Sequence, residues 1–494
     1  MHRRTVLAGV ASFPFANAAL ARGVSDTVTR TGDATLAQDV AILREAMAIH
    51  PGASRYLSAA ALQRGLARFE LDARRSTEHD PLAGRYLALS RFLTTLKCGH
   101  SYPNFFNQTD PEVKALFDRA TRLPFHFEWI GRSMVVTADH SGTGALVPGT
   151  RVLAVNGQSA ENLLDRLMPY ARADGHNDGK RRSLLGVRGA EDIEYFDVFQ
   201  GLLFPPQGGE HHLLVAAPDG RQRRVTVPTM TLAQRRSMMT RVPEDSDQQR
   251  WTYRVRPDGV AVLDMPGWAM WNSKWEWRGW LSDRLDDAAS ARGLVVDIRR
   301  NEGGDDCGDP ILARIVERDL QGWEFEPRVR FRQVPPALEP HVSTWDDRFR
   351  KLGVGGTDLG GGWIGLPDRE APAPIRPVAK RLPVPVAVLI GPANSSATFA
   401  FVNAARASGK VKLFGEATGG NRRGINGGGF FFTTLPGSRI EFDLPLIGYF
   451  PRNAQPDAGI EPDVTVAATV ASIASGSDPV MEHAARWALA EVRG

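Results

Sequence analysis

The stretch GPANSSATFAFVNAARASGKVKLFGEATGG, residues 391–420, decides the fold of this chain. It follows an apolar run at 386–390 of the kind that forms a strand buried on both faces. Ser395 and Ser396 then fall in a tight turn, and the residues after them predict a helix. A second apolar run follows and ends in Gly419-Gly420. A serine where a strand turns into a helix has two readings. It can be an N-cap, or it can be placed for chemistry, because the turn exposes its hydroxyl and the free N–H groups of the helix favour developing negative charge.

About 100 residues upstream, LVVDIRRNEGGDD (294–306) reads as an apolar strand with a charged exit and a Gly303-Gly304 pair. Consecutive glycines after a strand let backbone approach a ligand closely and turn N–H groups inward. The two segments together offer a nucleophile and an oxyanion hole, the two halves of an acyl-transfer site.

Three motifs in this order resemble the C-terminal-processing (tail-specific) serine peptidase family. They are Asp297-Ile298-Arg299-Arg300-Asn301-Glu302-Gly303-Gly304, Ser396-Ala397-Thr398-Phe399 and Gly415-Glu416-Ala417-Thr418-Gly419-Gly420. The resemblance covers roughly 93–466, tightly at the motifs and loosely between them. It implies Ser396 as nucleophile, with Ser395 a weaker competitor, and N–H groups of Gly303 or Gly304 and of Ala397 as the oxyanion hole.

Ser-Lys members of the family place a lysine just past the last motif. Asn421 stands there in this chain, and no lysine follows it. An amide cannot take the serine's proton, so the resemblance points instead to the tricorn-core-like branch, whose base is histidine. Leu96-Lys97-Cys98-Gly99-His100-Ser101-Tyr102 matches that branch's histidine motif and makes His100 the expected base. The branch supplies an orienting acid before Gly459-Ile460-Glu461-Pro462-Asp463. The nearest is Asp457, one position off the usual register, while Asp463 is expected to tie down the strand after it.

The chain has 494 residues, 42% of them apolar and 23% charged, with a net charge of +4. This fits two or three domains, each able to bury a core, and no basic run with interleaved aromatics points to nucleic acid. The resemblance implies no metal and no cofactor, and a peptide or protein substrate; oligomeric state is not legible.

Residues 1–21 read as an export signal, with Arg3-Arg4 before a short apolar stretch and small residues at a cleavage site, so a periplasmic or otherwise exported protein is expected. A helical domain is expected over 22–118, with His100 near its end. A strand-rich module with a helical insertion follows over 119–232, and its 147–157 run resembles a PDZ domain. A catalytic domain of alternating strands and helices spans 251–470, and a C-terminal helix lies within 471–494. The fold class is therefore α/β multidomain, and the resemblance refines the catalytic part to a crotonase-like superhelical core. Gly353 to Val378 reads as a long loop or lid.

The chain has two cysteines, Cys98 beside His100 and Cys307 beside Gly304. If those motifs converge, a disulfide pinning the helical domain to the core is one expectation, and two buried thiols the other. Two functional classes also stay open. One is a serine peptidase. The other is a non-catalytic binder of apolar ligands or peptides on the same fold, for which the glycine-rich run ending at Phe430-Phe431-Phe432 would be the feature to use.

Overall fold

The computed structural model describes residues 32–75, 80–239, 245–321, 325–366 and 373–491. The segment expected to direct export lies outside them.

Apolar runs flanked by helices build the central sheet. Its strands run in the order Val464–Thr465, Val411–Gly415, Val386–Ile390, Leu294–Asp297, Ala261–Asp264 and Thr252–Val255. All neighbours are parallel except the last pair. Helices Trp277–Ala288 and Ser396–Ser408 make the crossovers between consecutive parallel strands, as a parallel sheet requires.

Every residue of Val386–Ile390 is buried, and alternate side chains enter different cores. Val386, Val388 and Ile390 join the main core. Ala387 and Leu389 meet Val480, Met481, Ala484 and Ala485 of helix Pro479–Glu491. This two-sided burial explains why the strand reads as an unbroken apolar run.

The segment 251–470 also holds a sheet that the sequence does not announce. It is antiparallel, in the order Val342–Ser343, Asn426–Thr434, Glu441–Pro451, Phe325–Val329, Trp363–Gly365 and Thr357–Gly360. The run expected to be a loop or lid thus contributes a hairpin. The triple glycine before Phe430 is absorbed by a bulge between Gly427 and Phe430, with Gly428 at φ +71°. Phe430 and Phe431 are buried in this sheet, and Phe430 and Phe432 stack with Trp345. The feature a ligand binder would use is therefore core.

Helices Asp33–Ile49, Ala59–Arg75 and Pro81–Thr94 form most of the N-terminal part. Asp80 caps the last of these by accepting the Ala83 N–H, with Pro81 in the first turn. A third sheet joins Phe125–Ile130, Ser133–Asp139, Arg151–Val155, Glu210–Ala216 and Gln222–Pro228, all antiparallel. The edge of Phe125–Ile130 is occupied by the chain itself, because Phe127 and Val187 exchange both backbone hydrogen bonds (2.8 and 3.0 Å). A peptide added as a strand would have to displace that segment. Among the described residues no helix is long and apolar enough to cross a membrane.

The two cysteines are not bridged. Both are buried and free, Cys98 beside Ser101 and Asn426, Cys307 against the Trp268 carbonyl. Burial pushes both thiols above their ordinary range. Reductant is therefore expected to leave turnover unchanged. A loss of activity in dithiothreitol that returns on reoxidation would overturn the unbridged assignment.

Candidate active site

Two loops at the carboxyl ends of neighbouring parallel strands are zipped together by buried asparagines. Asn394 Nδ2 donates to the Ile298 and Asn301 carbonyls (2.5 and 3.0 Å), and its Oδ1 accepts the Gly391 N–H (2.8 Å). Asn301 reaches the next strand through the Met265 carbonyl (2.7 Å), and Thr398 Oγ1 donates to the Asn301 carbonyl (3.1 Å). With every polar atom in this joint satisfied inside the core, the serine turn is fixed on the glycine pair.

Ser396 opens helix Ser396–Ser408 with φ +51°, a left-handed conformation that is costly for a side-chain-bearing residue. Its hydroxyl has no hydrogen-bond partner among the described residues. Ser395 differs: it has extended backbone, and its Oγ donates to the Glu302 carbonyl (3.0 Å). The strain and the unengaged hydroxyl both belong to Ser396.

Gly303 and Gly304 have φ of +115° and +134°. A Cβ on Gly303 would stand 2.9 Å from both the Ser395 carbonyl oxygen and Ser396 Cβ, and 3.0 Å from Ala397 N. Backbone alone fits against the serine turn. The Gly303 N–H, expected as an oxyanion donor, is already held by Asn301 Oδ1 (2.9 Å). Ala397 and Gly304 have N–H groups without a recorded acceptor among the described residues. Gly303→Ala is expected to lower turnover on the order of 10²-fold by displacing the turn. Wild-type turnover in the folded variant would contradict that fit.

His100 lies in the turn after helix Pro81–Thr94, which passes through Lys97 at φ +54°. The following residues are stapled to strand Glu441–Pro451. Asn104 and Asn107 both donate to the Asp443 carboxylate (2.9 Å each), and Gln108 Nε2 donates to the Glu441 carbonyl (2.7 Å). Phe430 packs on the imidazole with ring centroids 6.0 Å apart. His100 is 4% exposed, and its Nδ1 is buried without a partner. Burial pulls its pKa below the ordinary imidazole value, with Asp174 opposing that shift and Arg172 and Lys180 adding to it. His100 and Ser396 line one cavity of about 320 Å³, together with Tyr102, Trp268, Trp271 and Glu302.

Asp457 does not orient His100. Its carboxylate is engaged by His176 Nδ1 (2.6 Å), by the His176 N–H (3.2 Å) and by Asn421 Nδ2 (2.7 Å). The acid near His100 is Asp174, whose Oδ1 accepts the Gly99 N–H (2.8 Å). A side chain on Gly99 would strike that carboxylate. Asp463 takes the Leu413 N–H on Oδ2 (2.8 Å) and so fastens the sheet's edge, as expected.

Segment 172–180 supplies residues that the sequence reading passed over. Arg172 and Lys180, both buried, converge on Glu302 at 3.1 and 3.2 Å. Arg172 also donates to the Gly99 carbonyl and the Tyr195 hydroxyl, and Lys180 Nζ to the Ala393 carbonyl (2.9 Å). One cluster thus ties the His100 turn, the glycine loop and the serine turn together.

Desolvation pushes the Lys180 pKa down to about 8, with Glu302 opposing it. Desolvation raises that of Glu302, but Lys180 and Arg172 outweigh it and hold the carboxyl at about 2. The Glu302 side chain remains 43% exposed toward the cavity, so solvent screens part of this pairing. Glu302→Gln is expected to destabilise the fold by about 1–2 kcal/mol, less than a fully buried pair would lose. Urea denaturation measures this, and an unchanged midpoint would argue that the cluster contributes nothing.

The sequence gives no signal for this cluster. Charged residues in a polar run read as solvated, and only packing brings them under the glycine loop.

Residues 259–466 match peptidase family S41. The fold resembles that of mature CPAF complexed with lactacystin (TM-score 0.63, 14% identity, covering 92% of this chain and 98% of that one). It also resembles a second structure of mature CPAF (TM-score 0.59, 14% identity, 92% and 96% covered). At this identity the likeness is one of fold. A search of curated proteins gave no match. The matched segment holds the serine turn, the glycine loop and most of the parallel sheet that joins them, and it is a domain of peptidase family S41, the serine-type peptidases to which its motifs pointed.

Proposed function

We propose that this protein is an exported peptidase that hydrolyses peptide bonds with Ser396 as nucleophile and His100 as general base, on a crotonase-like core with a PDZ-like module. The observation that carries this reading is the strained Ser396 at a helix start, its hydroxyl unengaged, lining one cavity with His100. Ser396 Oγ attacks the scissile carbonyl as His100 takes its proton, and His100 then gives that proton to the leaving amine. The Ala397 N–H at the head of the helix, with that of Gly304, stabilises the oxyanion. Water then hydrolyses the acyl-enzyme by the same base.

His100 needs no tight partner in the resting state, since catalytic hydrogen bonds commonly tighten only with substrate bound. Asp174 is the acid placed to hold its turn. A fluorophosphonate probe tests the assignment directly. Wild type is expected to be labelled at Ser396, and Ser396→Ala not at all. Labelling at Ser395, or none in the folded wild type, would refute it.

A further inference from the structure

A second cavity, of about 640 Å³, shares no lining residue with the cavity of the peptidase centre. It sits where helices Pro81–Thr94, Ala160–Leu167 and Asp178–Leu184 come together. Five cationic side chains line it, Arg91, Lys97, Arg132, Arg181 and Arg182, against two carboxylates, Asp165 and Asp178.

The two carboxylates are already taken. Asp165 pairs with Arg132 (2.7 Å) and Asp178 with Arg181 (2.9 Å). Among the described residues Arg91 has only a distant carboxylate, Asp72, at 3.6 Å. Arg182 donates to the Gly131 carbonyl at 3.3 Å and acts on the Glu416 carboxylate only through space, and neither Arg182 nor Lys97 forms a direct ion pair among the described residues. Burial and the nearby Arg181 both pull the Lys97 pKa down, with Asp178 and Asp457 opposing them, as expected for a cation crowded by like charge and without a direct ion pair. Like charges gathered in a concave site repel one another and focus a positive potential, which a compact anion would relieve.

Both walls of this cavity lead directly into the peptidase centre. Lys97 is three residues before His100 in the same left-handed turn, and its carbonyl accepts the Gly175 N–H (2.9 Å). Helix Asp178–Leu184 presents Arg181 and Arg182 to the cavity, while Lys180 on the same helix holds Glu302 and the Ala393 carbonyl. We propose that this cavity binds a compact polyanion, of phosphoryl or carboxylate chemistry, as an effector of the peptidase centre. The effector role rests on the assignment of Ser396 above; the binding does not.

Calorimetry of the full chain at low ionic strength tests the binding, with inorganic pyrophosphate in one arm and citrate in the other. One site with a dissociation constant of about 10⁻⁴ M is expected, weakened by added sodium chloride. Lys97→Gln and Arg182→Gln should each weaken it at least about tenfold. Binding of pyrophosphate alone assigns phosphoryl ligands, and of citrate alone carboxylates. No saturable heat with either anion, or binding unchanged in both variants, overturns the site. Should Lys97→Gln unfold, Arg182→Gln and the more exposed Arg91→Gln carry the same test.

The rate of fluorophosphonate labelling at Ser396 reads the effector role, with a change of at least about threefold expected on saturation. Saturable binding with an unchanged labelling rate would overturn that role. An unliganded protein that does not label at all counts against Ser396 as nucleophile, and the calorimetry still judges the cavity by itself.

Discussion

Replacing Ser396 by alanine should lower peptide hydrolysis by at least about 10⁴-fold, because the hydroxyl is the group on which the covalent step depends. The residual rate would come from the unchanged oxyanion donors and binding surface. The fold should survive, since Ser396 Oγ has no recorded hydrogen bond to lose. Ser396→Gly sharpens the test. Glycine adopts φ +51° without strain, so this variant should be equally inactive yet melt at or above the wild-type temperature. Substantial hydrolysis by either variant would move the nucleophile elsewhere, with Ser395 the first alternative.

Removing His100 should have the next largest effect. His100→Ala is expected to reduce turnover by at least about 10²-fold, the lower range for a lost general base. Only the neutral imidazole can accept the serine's proton, so wild-type activity should fall as pH drops through the His100 pKa. Burial depresses that value, so the acid limb should lie below the ordinary imidazole range, with full activity at neutral pH. The limb should vanish in His100→Ala. A variant that keeps high turnover with a limb near pH 8 would assign the base to Lys180, the other buried titratable group beside the serine turn.

Much of the site could be read from local chemistry. The turn after Val386–Ile390 and the glycine pair after Leu294–Asp297 are set by a few neighbouring residues each, as is the turn carrying His100. Such signals survive in a linear sequence because backbone sterics and strand periodicity act over short separations. The antiparallel sheet was less legible. Its strand Asn426–Thr434 begins with glycines that resemble a loop, and the bulge that accommodates them depends on pairing with Glu441–Pro451.

By itself, the sequence determined the parallel core, the serine turn, the glycine loop and the histidine turn, each through residues adjacent in the chain. Tertiary structure alone decided the partners. Asp457 meets His176, 281 positions away, rather than His100. Asn301 claims the Gly303 N–H that looked free for an oxyanion, and Cys98 and Cys307 stay unbridged although both are buried. Lys180 and Arg172 reach Glu302 from a segment that reads as polar surface. The reason is physical: a side chain's partner is set by which distant segments the core packs together, and by the cost of leaving a buried charge or N–H unpaired there. Neither is written in the spacing of neighbouring residues.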